Sequence, residues 1–168
     1  MPLTMYHASV PVFVRALTNL SAILRKAEEH AAAKKIDSAV FVNARLAPDM
    51  FPLSRQVQSA SDSAKGCAAR LAGMEVPRYD DTESTFPELH ARIAKTVAFM
   101  QGVSPEVIAG SEERKVVLKL RGQETSFSGQ SYLLTFALPN FFFHVVTAYD
   151  ILRHNGVAIG KADFLGSQ

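Results

Sequence analysis

The stretch from Gln130 to Asn155 constrains this chain most. Set on a helix, Phe141, Phe142, Val145, Ala148, Tyr149 and Leu152 cover one broad side. Phe143, Val146 and Ile151 leave little of the remaining circumference polar. A helix apolar on almost every side is covered from several directions, as the centre of a helical bundle or as a contact between subunits. Pro139 is expected to end a first short piece, with a new helix starting at or just after it. Gly156 supplies the C-terminal stop, behind Arg153 and His154 in the last turn.

Such a helix needs partners, and three other segments offer them. Val10, Phe13, Leu17, Leu20, Leu24, Ala27 and Ala31 recur at steps of three and four, one face of a helix ending near Lys34 and Lys35. It starts either at a Ser9 cap, with Pro11 in its first turn, or near Thr4 with a bend at Pro11. A second helix, Phe51 to Ala72, presents Val57, Ala60, Ala64, Cys67, Ala68 and Leu71 and stops at Gly73. Its small residues let a partner helix come close. Thr85 and Glu88 form a capping box for a third, with Leu89, Ile93, Val97 and Met100 at helical spacing. Ser38 to Val42 and Ser104-Pro105-Glu106 read as short helical turns. Residues 112–127 change period: Val116, Leu118 and Leu120 alternate with Val117, Lys119 and Arg121. The turn Arg121-Gly122-Gln123 then suggests a hairpin. Gly160 to Gln168 is a tail, docked by Phe164 and Leu165. The expected fold is an all-α antiparallel four-helix bundle over residues 1–168, one domain, with a short extended or hairpin segment before the last helix.

Composition narrows the partners. Of 168 residues, 48% are hydrophobic and 20% charged, enough for a chain this size to bury roughly 70% of its unfolded surface. A net charge of +2 gives no electrostatic case for nucleic acid. No apolar run reaches the ~18 residues of a membrane helix, so no membrane partner is expected. The start, Met1-Pro2-Leu3-Thr4, lacks a basic then apolar leader, and the single Cys67 reads as a buried core thiol. Both fit a cytoplasmic location.

The chemistry concentrates on the last helix. Asn140, His144 and Thr147 stack at spacings of four and three and share one face. A polar strip there must find partners, because an unpaired buried polar group costs ~1–3 kcal/mol. Two readings stay open: a satisfied core histidine with Asn140 capping the helix after Pro139, or a strip lining a pocket. The five histidines contain no pair at spacing three or four, and no phosphate-binding glycine loop or nucleophile elbow is present. His30 and His90 read as solvated, and so do the loop pairs Asp80-Asp81 and Glu112-Glu113. Asp62 and Asp150 read as flanking residues.

Three stretches carry a resemblance: Met5 to Phe13, Met50 to Gln58, and above all Leu138-Pro139-Asn140-Phe141-Phe142-Phe143-His144 through Leu152-Arg153-His154-Asn155-Gly156-Val157. They resemble a branch, of unknown function, of the DinB/YfiT-like superfamily. The resemblance implies a four-helix bundle with a long crossover, commonly a homodimer. Typical members hold a divalent ion with three histidines, one on the second helix and an HxxxH pair on the last, and act as thiol transferases or hydrolases. Here Asn140 falls at the first histidine of that pair, His144 at the second, and Gln58 near the second-helix position. Amide oxygens suit hard cations and hold zinc or nickel poorly. No cofactor is therefore expected, with a divalent metal ion as the alternative. The favoured expectation is a small-ligand binding or interaction module whose pocket, formed by Gln58, Asn140, His144 and Thr147, descends from a metal site. The alternative is a DinB-like metal-dependent enzyme with His144 as ligand or as general base, which has a suitable ordinary pKa.

Overall fold

The computed structural model describes residues 3–166. Helix α1 (Val10–Lys34) begins after Ser9, which settles the open start. Pro11 sits in the first turn, where its missing N–H costs nothing. The Ser9 hydroxyl does not cap the helix; it donates to the Met5 carbonyl at 2.6 Å. All seven expected stripe residues are buried, joined by Ile23. Lys35, at φ 55°, takes the left-handed position that ends the helix.

A short α2 (Ser38–Val42) leads to α3 (Leu53–Ala72), which Gly73 stops at φ 69°. Helix α4 (Phe86–Gln101) carries the capping box in full: Glu88 N–H donates to Thr85, and Thr85 N–H to the Glu88 carboxylate at 3.0 Å. The turn α5 (Pro105–Ile108) precedes β1 (Lys115–Leu120) and β2 (Gln123–Ser128), an antiparallel pair in which Val116 faces Phe127 and Lys119 faces Glu124. Arg121 and Gly122 both have positive φ, the geometry of a two-residue hairpin turn. Val116 and Leu118 point into the core, and Phe127 meets Tyr132 and Phe136 with ring centroids 6.2 and 5.9 Å apart.

The last helical run departs from expectation. Pro139 does not break it. The short α6 (Gly129–Ser131) passes into a π-helical turn, Tyr132–Ala137, and on into α7 (Leu138–His154) without leaving helical dihedrals. Proline lacks an N–H, and its ring crowds the carbonyl four residues back. The wider turn relieves that conflict: the Leu138 N–H reaches the Leu133 carbonyl, five residues back rather than four. By length and composition the run Gly129–His154 is apolar enough to cross a membrane, which corrects the expectation that no segment reaches that size. In the fold its inward side packs on α3 and α1, while Leu134, Phe143 and Val146 stay exposed. The small α8 (Lys161–Leu165) is tied to α1 through Arg15 on the Leu165 carbonyl, Asn19 on the Phe164 carbonyl and a Lys26–Asp163 ion pair. Leu165 itself remains half exposed; Phe164, packed on Tyr149, is the residue that docks. Gln168, at the end of the expected tail, and Met1-Pro2 lie outside the described residues.

The four long helices form a ring in which α1 touches α4, α4 touches α3, α3 touches α7 and α7 touches α1. Helices α3 and α4 are neighbours joined by the short link 73–85. The longer connections, 35–52 and 102–137, run between diagonal helices, and the second carries the hairpin. This is the four-helix bundle with a crossover, and α3 lies between α4 and α7 with polar residues on both sides.

Candidate functional site

Helix α3 meets the last helical run through three side-chain pairs. The Gln56 amide nitrogen donates to the Phe51 carbonyl at 3.1 Å, which turns its oxygen toward His144. That oxygen accepts from His144 Nδ1 at 2.8 Å, so the imidazole lone pair sits on Nε2. Seven residues along α3, the Ser63 hydroxyl accepts from the Asn140 amide at 2.7 Å and donates to the Ser59 carbonyl. Seven further, the Arg70 guanidinium donates to the Tyr132 hydroxyl at 3.1 Å. Steps of seven keep Gln56, Ser63 and Arg70 on one face of α3. On the opposing run the steps are four and eight. Eight residues of ordinary helix would swing Tyr132 about 80° out of line with Asn140. The extra residue of the π-helical turn returns it to phase.

Burial, then the Arg55 charge, lowers the His144 pKa below its ordinary value and keeps the ring neutral near pH 7. Burial pushes Tyr132 and Cys67 up to about 12 each, so neither ionises near neutrality. Cys67 is fully buried, as a core thiol.

The four residues singled out from the sequence do not share one cavity wall. Gln58 lies two residues from Gln56, about 200° around the helix, and so faces α4. Its amide donates to Glu83 at 3.0 Å and its oxygen accepts from Arg55. The α3 residue that meets His144 is Gln56. Thr147 is spent on its own helix, donating to the Phe143 carbonyl at 2.7 Å. Asn140 does not cap the helix after Pro139; it reaches across to Ser63 and lines a cleft of about 280 Å³. The other walls of that cleft include Asp62, Arg70, Lys119, Tyr132 and Phe136.

The donor set does not fit the ion that the resemblance implies. Gln56, Asn140 and His144 supply two amides and one imidazole, and His144 Nδ1 is already engaged. Among the described residues no three His, Cys, Asp or Glu side chains are grouped to hold a metal ion. A tightly bound transition metal requires more imidazole, thiolate or carboxylate than this.

Sequence reasoning missed a second polar seam, between α3 and α4. The buried Arg92 pairs with Asp62 at 2.7 Å, Asp81 at 3.0 Å and Glu83 at 3.1 Å, and donates to Ser61 and to the Asp80 carbonyl. Lys65 also pairs with Asp62, at 2.9 Å. Lys65, Arg92 and Lys95 all lie against the Tyr79 ring. Asp81 is therefore not a solvated loop carboxylate: Arg92 and Arg55 both hold it. Burial works to raise its pKa, but the hydrogen bonds and charges of the two arginines keep it below the usual carboxylate range. The signal was present in the spacing. Arg92 lies three residues after Leu89 and four before Thr96, in the buried stripe of α4. His90 is likewise not freely solvated; it is half-buried, with Nδ1 on the Ser21 hydroxyl at 2.9 Å.

Comparison with known proteins places this geometry in a family. The chain matches the domain of unknown function DUF1993 over residues 5–165. It is similar to a solved DinB family member protein from Shewanella denitrificans, with a TM-score of 0.92 and 43% identity over 98% of this chain and 93% of that one. No functionally curated protein matches. The chain belongs to the DUF1993 family, a DinB-type helical-bundle family whose function is unknown.

Proposed function

We propose that the protein is a small-ligand binding module whose site is the cleft between α3, the hairpin and the start of α7. One observation carries this reading: Asn140, at a position where DinB-like relatives are expected to place a metal-binding histidine, lines a cleft instead of filling the core. Its amide spends one N–H on Ser63 and keeps a second N–H and its oxygen for a ligand. The π-helical turn that forms one wall is a feature often found at functional sites. Screening a fragment library by amide NMR tests the reading. Hits should shift the backbone resonances of Ser63, Lys119 and Asn140, and Asn140→Leu should abolish those shifts. Hits that cluster elsewhere and survive Asn140→Leu overturn it.

A second reading, enzymatic, rests on the His144 tautomer. With Nδ1–H on Gln56 and a lowered pKa, Nε2 is a neutral base near pH 7. Hydrolysis of small activated esters that follows a single ionisation and vanishes in His144→Gln supports it; turnover unchanged by that substitution removes it. In either reading the protein pairs with a second copy through the exposed Phe143 and Val146 of α7. Light scattering should give twice the chain mass, falling to one in Phe143→Glu.

A further inference from the structure

We propose that the cleft is built for an oxyanion, the carboxylate or phosphate group of a small ligand, received by Arg70 and Lys119. This rests on the small-ligand reading above and names the class of ligand.

The first support is charge. Asp62 is the one carboxylate in the cleft wall, and it is already held by Arg92 at 2.7 Å and Lys65 at 2.9 Å. Arg70 is not matched in this way: among the described residues its recorded partner is the neutral Tyr132 hydroxyl, and it takes part in no ion pair. A guanidinium offers five N–H donors, and Tyr132 uses one. Lys119, exposed on β1, adds a second cation to the same wall.

The second support is that Arg70 has a prepared seat. Gly66 lies one turn before it on α3, and a Cβ at Gly66 would stand 2.5 Å from Arg70 Nη1. Glycine inside a helix costs about 1 kcal/mol relative to alanine. Here it lets the guanidinium lie back along the helix, within reach of Tyr132, where the ring and hydroxyl orient it. An arginine held in this way loses little freedom when it binds a planar oxyanion, which it can meet with two parallel hydrogen bonds.

The third support is size. At about 280 Å³ the cleft lies at the small end for ligand sites. The Phe136 ring, stacked on Tyr132, gives it an apolar wall. An oxyanion on a single ring matches these dimensions, with the second Asn140 amide N–H, the one not on Ser63, beside it.

Calorimetry and thermal unfolding with benzoate, phenyl phosphate and the neutral benzamide test the proposal, and the first two separate the carboxylate from the phosphate source. Benzoate or phenyl phosphate should bind and raise the melting temperature, and benzamide at equal concentration should not. Arg70→Gln should weaken oxyanion binding at least tenfold. Lys119→Gln, on the exposed hairpin and harmless to folding, should weaken it several-fold and flatten its salt dependence. Benzamide binding as well as benzoate overturns the oxyanion class but not the site, provided Asn140→Leu removes both. Oxyanion binding unchanged in both charge variants also overturns the class. If none of the three probes binds while library fragments still map to Asn140, the class fails and the small-ligand reading stands. If no fragment maps there either, both fail.

Discussion

His144 owes its chemistry to a neighbour fixed by a third group. The Phe51 carbonyl orients the Gln56 amide, and the amide selects the imidazole tautomer. Its pH behaviour follows. Burial holds the folded-state pKa below that of the unfolded chain, so acidification protonates the unfolded state first. The stability contributed by the neutral ring is complete above the unfolded value of about 6.5 and is lost as pH falls below it toward the folded value. His90 shifts in the same direction, again with burial as the main cause. Imidazole NMR titration should place both midpoints below that of a free histidine. His144→Leu should remove part of the slope of stability against pH between about 7 and 5. It should also cost about 1–3 kcal/mol, because the Gln56 oxygen loses its donor. The sequence showed that Asn140 and His144 share a face. It did not show that His144 meets Gln56 and Asn140 meets Ser63, because distance from a helix start fixes the height of a residue but not its azimuth within about 100°.

At the scale of elements, local chemistry was the most legible. The stripe of α1, the capping box of α4, the glycine stop of α3 and the two-residue hairpin turn each follow from residues a few positions apart. Thr85→Ala should cost about 1 kcal/mol in urea unfolding, the usual value of a lost cap. The π-helical turn was illegible because nothing local requires it: Pro139 favours a break equally, and only the pull of α3 on both Tyr132 and Asn140 makes a continuous, re-phased helix the better solution. Two glycines separate space from propensity. At Gly129 a Cβ would run into the backbone carbonyl of Ser111, which cannot yield without moving the α5–β1 link. Gly129→Ala should destabilise by about 1–3 kcal/mol, as overpacking does. At Gly66 the obstacle is the end of the flexible Arg70 side chain. Gly66→Ala should leave the urea midpoint nearly unchanged, the gain in helix propensity offsetting the displaced guanidinium, while breaking the Arg70–Tyr132 hydrogen bond. Amide NMR at Tyr132 reads that difference.

Across the whole molecule Arg92 is the main tie. It joins α4, α3 and the link 79–83 through three carboxylates, and its side chain is only 1% exposed. Removing one member of a fully buried charge pair costs about 3–5 kcal/mol. Here Asp62 keeps Lys65, Asp81 keeps Arg55 and both reach solvent, which brings the cost to about 1–3 kcal/mol. Arg92→Met, close to it in volume, should lose that much in urea unfolding despite its apolar fit. Because the arginines hold Asp81 below the ordinary carboxylate range, its contribution is present above the unfolded pKa and lost as pH falls through the folded one. Acid should therefore loosen the 79–83 link, and hydrogen exchange there should accelerate below about pH 4. The burial of Arg92 was legible from its place in the α4 stripe, but its partners were not, because Asp62, Asp81 and Glu83 come from two other segments.

The surplus residue between Tyr132 and Asn140 also has a bearing on kinship. A relative one position shorter in that interval would run as plain helix and, at seven residues or about 700°, would still turn its counterpart of Tyr132 toward the guanidinium. A one-residue gap there in an alignment should thus mark loss of the wider turn, while the letter at the Tyr132 position tells whether the Arg70 contact is kept.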